Sequence, residues 1–222
     1  MPRPAGVARP RKKPAGKYHH GELRRALLDA TLGIVEKAGT GAVSLSAAAR
    51  RVGVSPQATY NHFRDKAALL AAAAEESVRA LERTMRAAGA ATAGHGERLE
   101  ATGVAYVVFA CAHPAHFRLL SAPELADKTE HPQLLAAYEA AFSVLLAAIE
   151  DCQAAGVVRG SDARKLARAA WATVHGVAWL LVDGQLRVSG ASGDTEQSAR
   201  DAIRVLFKGL DARAARSRRA GE

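Results

Sequence analysis

Apolar residues recur along this chain at the spacing of helices, not with the alternation of strands. Between Glu22 and Gly39, Leu23, Leu27, Ala30, Ile34 and Ala38 share one helical face, and Gly39 and Gly41 end the pattern. A short helix is predicted after Ser44 and ends at Gly53, and another runs from Pro56 to Phe63. Asp65 caps a longer one, from Lys66 to about Ala88. After a loop at Gly89 to Gly96, helices follow from Glu97 to about Ala112 and around His116 to Leu120. From Pro132 the stripe Leu135, Tyr138, Phe142, Leu145 and Ile149 runs to Gly156. Asp162 to Val182 carries Leu166, Ala170, Val174, Val177 and Leu181. Past a Gly/Ser-rich loop at 184–193, Asp194 to Leu210 shows Ala199, Ala202, Ile203, Leu206, Phe207 and Leu210, with Arg200 and Arg204 off the stripe. The expectation is an all-α chain of about nine helices.

Charge changes the picture more than composition does. The 222 residues carry a formal charge of +9, distributed as +9 over residues 1–66, −2 over 67–210 and +2 over the last twelve. Basicity confined to the N-terminal third marks that third as the one to meet a polyanion. Residues 1–17 intersperse Pro2, Pro4, Pro10 and Pro14 with six cations; they cannot build a core and read as a disordered arm. The boundaries expected are a disordered basic arm at 1–17, a basic helical unit at 18–66, a longer helical unit at 67–212 and a basic tail at 213–222.

The basic start runs into Pro, Gly and His instead of an apolar stretch, and the longest apolar run, Val104 to Ala112, is too short to span a bilayer. Cys111 and Cys152, far apart within helical patterns, read as buried free thiols. A cytoplasmic protein with no membrane partner is expected.

The chemistry concentrates between Leu45 and Lys66, LSAAARRVGVSPQATYNHFRDK. Ala49 allows two helices to approach, Gly53 supplies the positive φ that ends the first, Ser55 is an N-cap, and Pro56 sits where a first helical residue needs no N–H. That is a helix-turn-helix. Its second helix carries Gln57, Tyr60, Asn61 and His62, side chains suited to base edges and phosphates. Lys66 opens the next helix, where an ammonium reinforces the N-terminal dipole towards a phosphate. Ser44 caps its helix and can add a phosphate contact. Arg50 and Arg51 face either DNA or solvent.

These residues resemble the TetR family of one-component transcriptional regulators. The likeness is strongest over 18–70, in YHHGELRRALLDA (Tyr18 to Ala30) and ATYNHFRDKAALL (Ala58 to Leu70). Further on, Trp171-Ala-Thr-Val-His175-Gly176, preceded by HPAHFRLL (His113 to Leu120), is similar to the tryptophan–histidine–glycine signature of one regulatory-domain type. The resemblance implies a three-helix DNA-binding domain, a divergent helical ligand domain and a homodimer paired through the last two long helices. It implies DNA contacts from Ser44, Gln57, Ala58, Tyr60, Asn61, His62 and Lys66. Thr59 departs from the pattern, because that recognition-helix position is apolar in many relatives. Ala48 and Ala49 similarly replace a commoner branched residue.

Aromatic and histidine residues in the C-terminal part make candidates for an effector pocket: Tyr106, Phe109, Phe117, Tyr138, Phe142, Trp171, His175 and Trp179. Trp171, His175 and Trp179 lie four residues apart on one helical face and either line a cavity or fill a core. His113 and His116 with Cys111 do not have the spacing of a zinc site, and no metal or cofactor is expected. No GxSxG, no phosphate-cradling glycine loop and no paired carboxylates with a nearby His support an enzyme. The function expected is a ligand-responsive regulator, a repressor released from a pseudo-palindromic double-stranded operator by a small molecule. The alternatives are a metal-responsive regulator and an architectural DNA-binding protein.

Overall fold

The computed structural model describes residues 20–160, 162–186 and 194–210, with side chains of 206–210 and of His20 excepted. The arm at 1–17, the residues Tyr18 and His19, the tail at 213–222, most of the 184–193 loop and the side chains of Leu206 and Phe207 lie outside the described residues. Nine helices run in order: α1 (His20–Ala38), α2 (Leu45–Val52), α3 (Pro56–Tyr60), α4 (Lys66–Ala90), α5 (His95–Ala112), α6 (Pro114–Leu120), α7 (Pro132–Ala154), α8 (Ala163–Val182) and α9 (Thr195–Leu210). Among the described residues there is no strand, and the protein is all-α.

The caps lie at the residues the sequence marks. Ser44 Oγ accepts from the Ala47 N–H (3.0 Å), Ser55 Oγ from Ala58 (3.3 Å), Asp65 Oδ1 from Ala68 (2.7 Å) and Asp162 Oδ1 from Lys165 (2.8 Å). Gly53 ends α2 at φ 84°, a left-handed conformation in which a side chain would be strained. Three boundaries differ from the expected ones. α4 and α5 close in on the loop, leaving only 91–94; the alanine-rich end of α4, Ala87 to Ala90, extends that helix readily. α6 starts at Pro114, which serves as a first-turn residue that needs no N–H donor, so the proline initiates a helix here. α3 ends at Tyr60, short of Phe63. The Thr59 carbonyl accepts from both His62 and Phe63 (3.0 Å each), which tightens the turn and drops the Phe63 ring into the core.

Helix α4 joins the two halves. Its start packs with α1 and α6, and its body against α5 and α7. Arg25 of α1 pairs with Glu76 of α4 (3.2 Å), and Arg24 stacks over the Phe63 ring at 5.5 Å. Leu27, Leu28, Val35, Ala48, Ala49, Leu69 and Leu70 close the N-terminal core, and the small Ala48–Ala49 pair is what lets α2 seat fully.

In the second half, α7 packs on α4, α5 and α8. Of the described helices, α7 alone is long and apolar enough to cross a membrane by length and composition, a property that no single unbroken apolar run reveals. Its buried positions, Leu134, Ala137, Ala141, Leu145, Ala148, Ile149 and Cys152, show that apolarity being used in protein packing. Both cysteines are free; Cys152 is buried, its thiol donates to the His95 carbonyl at 3.2 Å, and burial pushes its pKa up to about 11. Cys111 is only half-buried, a correction to the expectation for it.

Candidate nucleic-acid interface and effector cavity

α3 is positioned from beneath and open above. Thr59 is fully buried against α2, and its hydroxyl has no hydrogen-bond partner, the consequence of a polar residue in an apolar packing site. On the opposite face Gln57 and Asn61 are exposed, and Tyr60 leaves 52% of its surface in solvent. A core role for Tyr60 is therefore excluded. Ala58 and His62 are half-buried, with the His62 ring 6.5 Å from Phe63. Ser44 is exposed at the start of α2. A row of polar groups and one phenol thus projects from a short helix whose other face is locked into a core.

Lys66 does not project with them. Its ammonium pairs with Glu124 at 2.8 Å and lies 3.5 Å from the Gly41 carbonyl, linking the start of α4 to the turn Pro123–Leu125 that follows α6. The ammonium holds the Glu124 carboxyl below the usual carboxylate range. Sequence reading missed Glu124, which lies 58 positions away with no periodic signal. The two adjacent arginines are both exposed, but Arg51 lies over α1, with Nη2 only 2.6 Å from where a Cβ on Gly33 would sit, so its place depends on that glycine.

The eight aromatic and histidine candidates divide into three sets, two of which share Trp171. Tyr106 and Phe117 are fully buried. Tyr106 Oη shares a 2.7 Å hydrogen bond with His175 Nδ1, and its ring meets Trp171 at 5.3 Å and Phe117 at 6.3 Å. Phe117 in turn contacts His175 (5.1 Å) and Trp179 (5.7 Å). This is a packed aromatic cluster that holds α5, α6 and α8 together. Burial raises the Tyr106 pKa and lowers that of His175, so both are neutral. Phe109 belongs elsewhere, its ring tilted against His113 (4.9 Å) and edge-on to His116 (6.1 Å), and His116 Nδ1 pairs with Ser77 Oγ of α4 at 3.0 Å.

Tyr138, Phe142 and Trp171 instead line a cavity of about 680 Å³ between α7, α8 and the turn Lys128–Glu130. Its other walls are Lys128, Glu139, Ser143, Arg164 and Arg168, none of them among the sequence candidates. The signal that could have found the arginines is their spacing: Arg164, Arg168 and Trp171 fall at i, i+4 and i+7 on one face of α8. The cavity and the aromatic cluster share Trp171, which meets Phe142 at 6.0 Å on one side and Tyr106 on the other.

The expected pairing stripe of the last helix is partly internal. Ala199 and Ile203 are buried within the subunit, Ile203 against Gly103 of α5, and Arg200 and Arg204 pair with Glu100 of α5 (3.7 and 3.2 Å). Among the described side chains of α9, the exposed large apolar one is Val205, at 73% exposure.

Two family profiles match the chain: one described as bacterial regulatory proteins of the tetR family over residues 27–73, the other as the tetracyclin repressor-like C-terminal domain over 99–206. No curated protein matches. Among solved structures, the chain is similar to a protein of unknown function from Rhodococcus sp. RHA1 (34% identity, TM-score 0.74, covering 88% of this chain and 98% of that one). It shares its fold with a tetR-family bacterial regulatory protein from Rhodococcus RHA1 (19%, TM-score 0.69, 86% and 97%). A TetR-family transcription regulator from Marinobacter aquaeolei VT8 shows the same fold (18%, TM-score 0.66, 85% and 95%).

Proposed function

Because the chain belongs to the TetR family of transcriptional regulators, which bind DNA and act as dimers, we propose that it is a homodimeric repressor released from its operator by a small molecule. The observation that carries the DNA side is the outward row Gln57, Tyr60 and Asn61 on a helix fixed by buried Thr59 and Phe63. In the proposal α3 enters a major groove, Gln57 and Asn61 offer amides to base edges, and Tyr60 and His62 reach bases or phosphates. Ser44 and Lys66 contact the backbone, Lys66 by exchanging Glu124 for a phosphate, and Ala58 packs on the sugar or a thymine methyl.

The units proposed are an arm at 1–17, a DNA-binding unit at 18–66, a regulatory and dimerisation unit at 67–212 and a tail at 213–222, in a cytoplasmic protein. Two α3 helices related by a two-fold axis would read half-sites about one helical turn apart. An effector that binds better to a dimer with a different spacing lowers operator affinity, and operator lowers effector affinity by the same factor. The cavity beside Trp171 supports this reading of the regulatory part. Footprinting on genomic fragments tests it. Discrete protection with two-fold symmetry is expected, and uniform coating of any duplex would overturn the repressor reading.

A further inference from the structure

We propose that the α7–α8 cavity binds an organic acid: a flat aromatic or conjugated body carrying an oxyanion. This rests on the ligand-responsive reading above and gives the ligand a chemical class. The walls supply both halves of such a molecule. Tyr138, Phe142 and Trp171 make a ring-lined wall, and the Tyr138 hydroxyl donates to the Leu120 carbonyl at 2.7 Å, so that side chain offers its ring and not its hydroxyl. At about 680 Å³ the space suits a small organic molecule.

Three cations surround the same space. Lys128 Nζ lies 4.9 Å from the Tyr138 ring centre and the Arg164 guanidinium 5.7 Å from that of Phe142, with Arg168 one turn further along α8. Among the described residues no carboxylate lies within 4.0 Å of any of these three cations, whereas Arg98, Arg200 and Arg204 on the neighbouring helices are all paired. Among the described residues Glu139 is the one acid in the lining, against the three cations. Unpaired guanidinium groups over aromatic walls are the arrangement that binds a planar oxyanion with its ring system stacked beside it.

Lys128 also carries a route outward. Its ammonium reaches the Leu125 carbonyl at 3.4 Å, in the turn whose Glu124 holds Lys66. An oxyanion that draws Lys128 inward therefore pulls on the turn that contacts the DNA-binding half.

Two fluorescent probes with the same body separate charge from shape: 1-anilinonaphthalene-8-sulfonate and uncharged N-phenyl-1-naphthylamine. The full-length protein, without DNA, is titrated with each. The sulfonate should saturate at one molecule per subunit and bind about tenfold or more tighter than the neutral probe. Arg164→Gln/Arg168→Gln alters exposed side chains and should abolish that preference, read as the ratio of the two probes' affinities, with native circular dichroism retained. Equal affinity of the two probes for the native protein, or an undiminished preference in the double variant, overturns the proposal. Operator release by the sulfonate is read separately by mobility shift. Charge-dependent binding without release upholds the site and overturns the ligand-responsive reading instead.

Discussion

Lys66 and Glu124 meet at 2.8 Å across the junction between the two halves of the molecule, each about one-third exposed. A pair so placed contributes little to stability, at most about 1 kcal/mol. Its importance is that it occupies the ammonium proposed to meet a phosphate. Glu124→Gln removes the competing charge and should tighten operator binding severalfold without changing the footprint. Lys66→Ala should weaken binding and lower the slope of log affinity against log salt by about one unit. Mobility shifts at three salt concentrations measure both. If Glu124→Gln loosens operator binding, the pair positions Lys66 for DNA and does not compete with it.

Tyr60 carries a sharper expectation. With half its surface exposed, it can be truncated without a cavity, so Tyr60→Ala should leave the melting temperature nearly unchanged. Operator affinity should fall about tenfold or more, the effect of losing one contact to a phosphate or base. Equal affinity of the two proteins would remove Tyr60 from the interface.

Thr59 makes the opposite kind of prediction. Its hydroxyl is buried with no partner, in a site that otherwise packs apolar groups. Thr59→Val keeps the shape and removes an unsatisfied donor, so it should stabilise the fold by about 1 kcal/mol. Chemical denaturation followed by circular dichroism measures the change. A loss of stability would mean that the hydroxyl has a partner in solution.

The departure at Thr59 was legible in the sequence, as were the caps at Ser44, Ser55 and Asp65 and the nine helices. All of these follow from local pattern and backbone chemistry. What the pattern could not carry is pairing between distant elements. Nothing near Lys66 announces Glu124, and nothing in the run Trp171 to Trp179 says which aromatic faces a cavity. Trp171 does, through its turn of α8 beside Phe142, while His175 one turn later is committed to Tyr106. Arg164 and Arg168 read as an ordinary solvated face until α7 brings its rings alongside. Periodicity gives the face of a helix; only tertiary packing says what lies across from it.

Acid should loosen the second half of the molecule before its carboxylates titrate. His116 and His175 are both held below the ordinary histidine value of 6.5, His175 by burial and His116 by burial and then by His113 and Arg25, against an opposing pull from Asp29. A depressed folded pKa means that the unfolded chain binds more protons. The stabilisation is therefore full above the unfolded value and is lost as pH falls through and below it. The melting temperature should decline as pH falls below the ordinary histidine value of 6.5, and less steeply in His116→Gln/His175→Gln. An identical decline in that variant would assign the acid sensitivity to other groups.

For the proposed pairing through α8 and α9, the described side chains single out which positions to test. Ile203 faces inward; among the described side chains, the outward apolar ones are Val205 on α9 and, on α8, Trp179 and Leu180 beside the small residues Ala169, Ala172 and Gly176. A Cβ built on Gly176 meets nothing within 4 Å, so this face of α8 is open within the subunit. Small residues permit close approach of a second helix, while Leu180 and Val205 supply apolar area, and two-fold symmetry then gives a four-helix interface. Phe207→Glu would probe the same helix, but Val205→Glu and Leu180→Glu are cleaner because Val205 is 73% and Leu180 37% exposed in the single chain. Both variants should keep native circular dichroism, sediment as monomers, and bind operator at least about tenfold more weakly, since one half-site is then held alone. If both remain dimeric, the interface lies away from this face of α8 and α9.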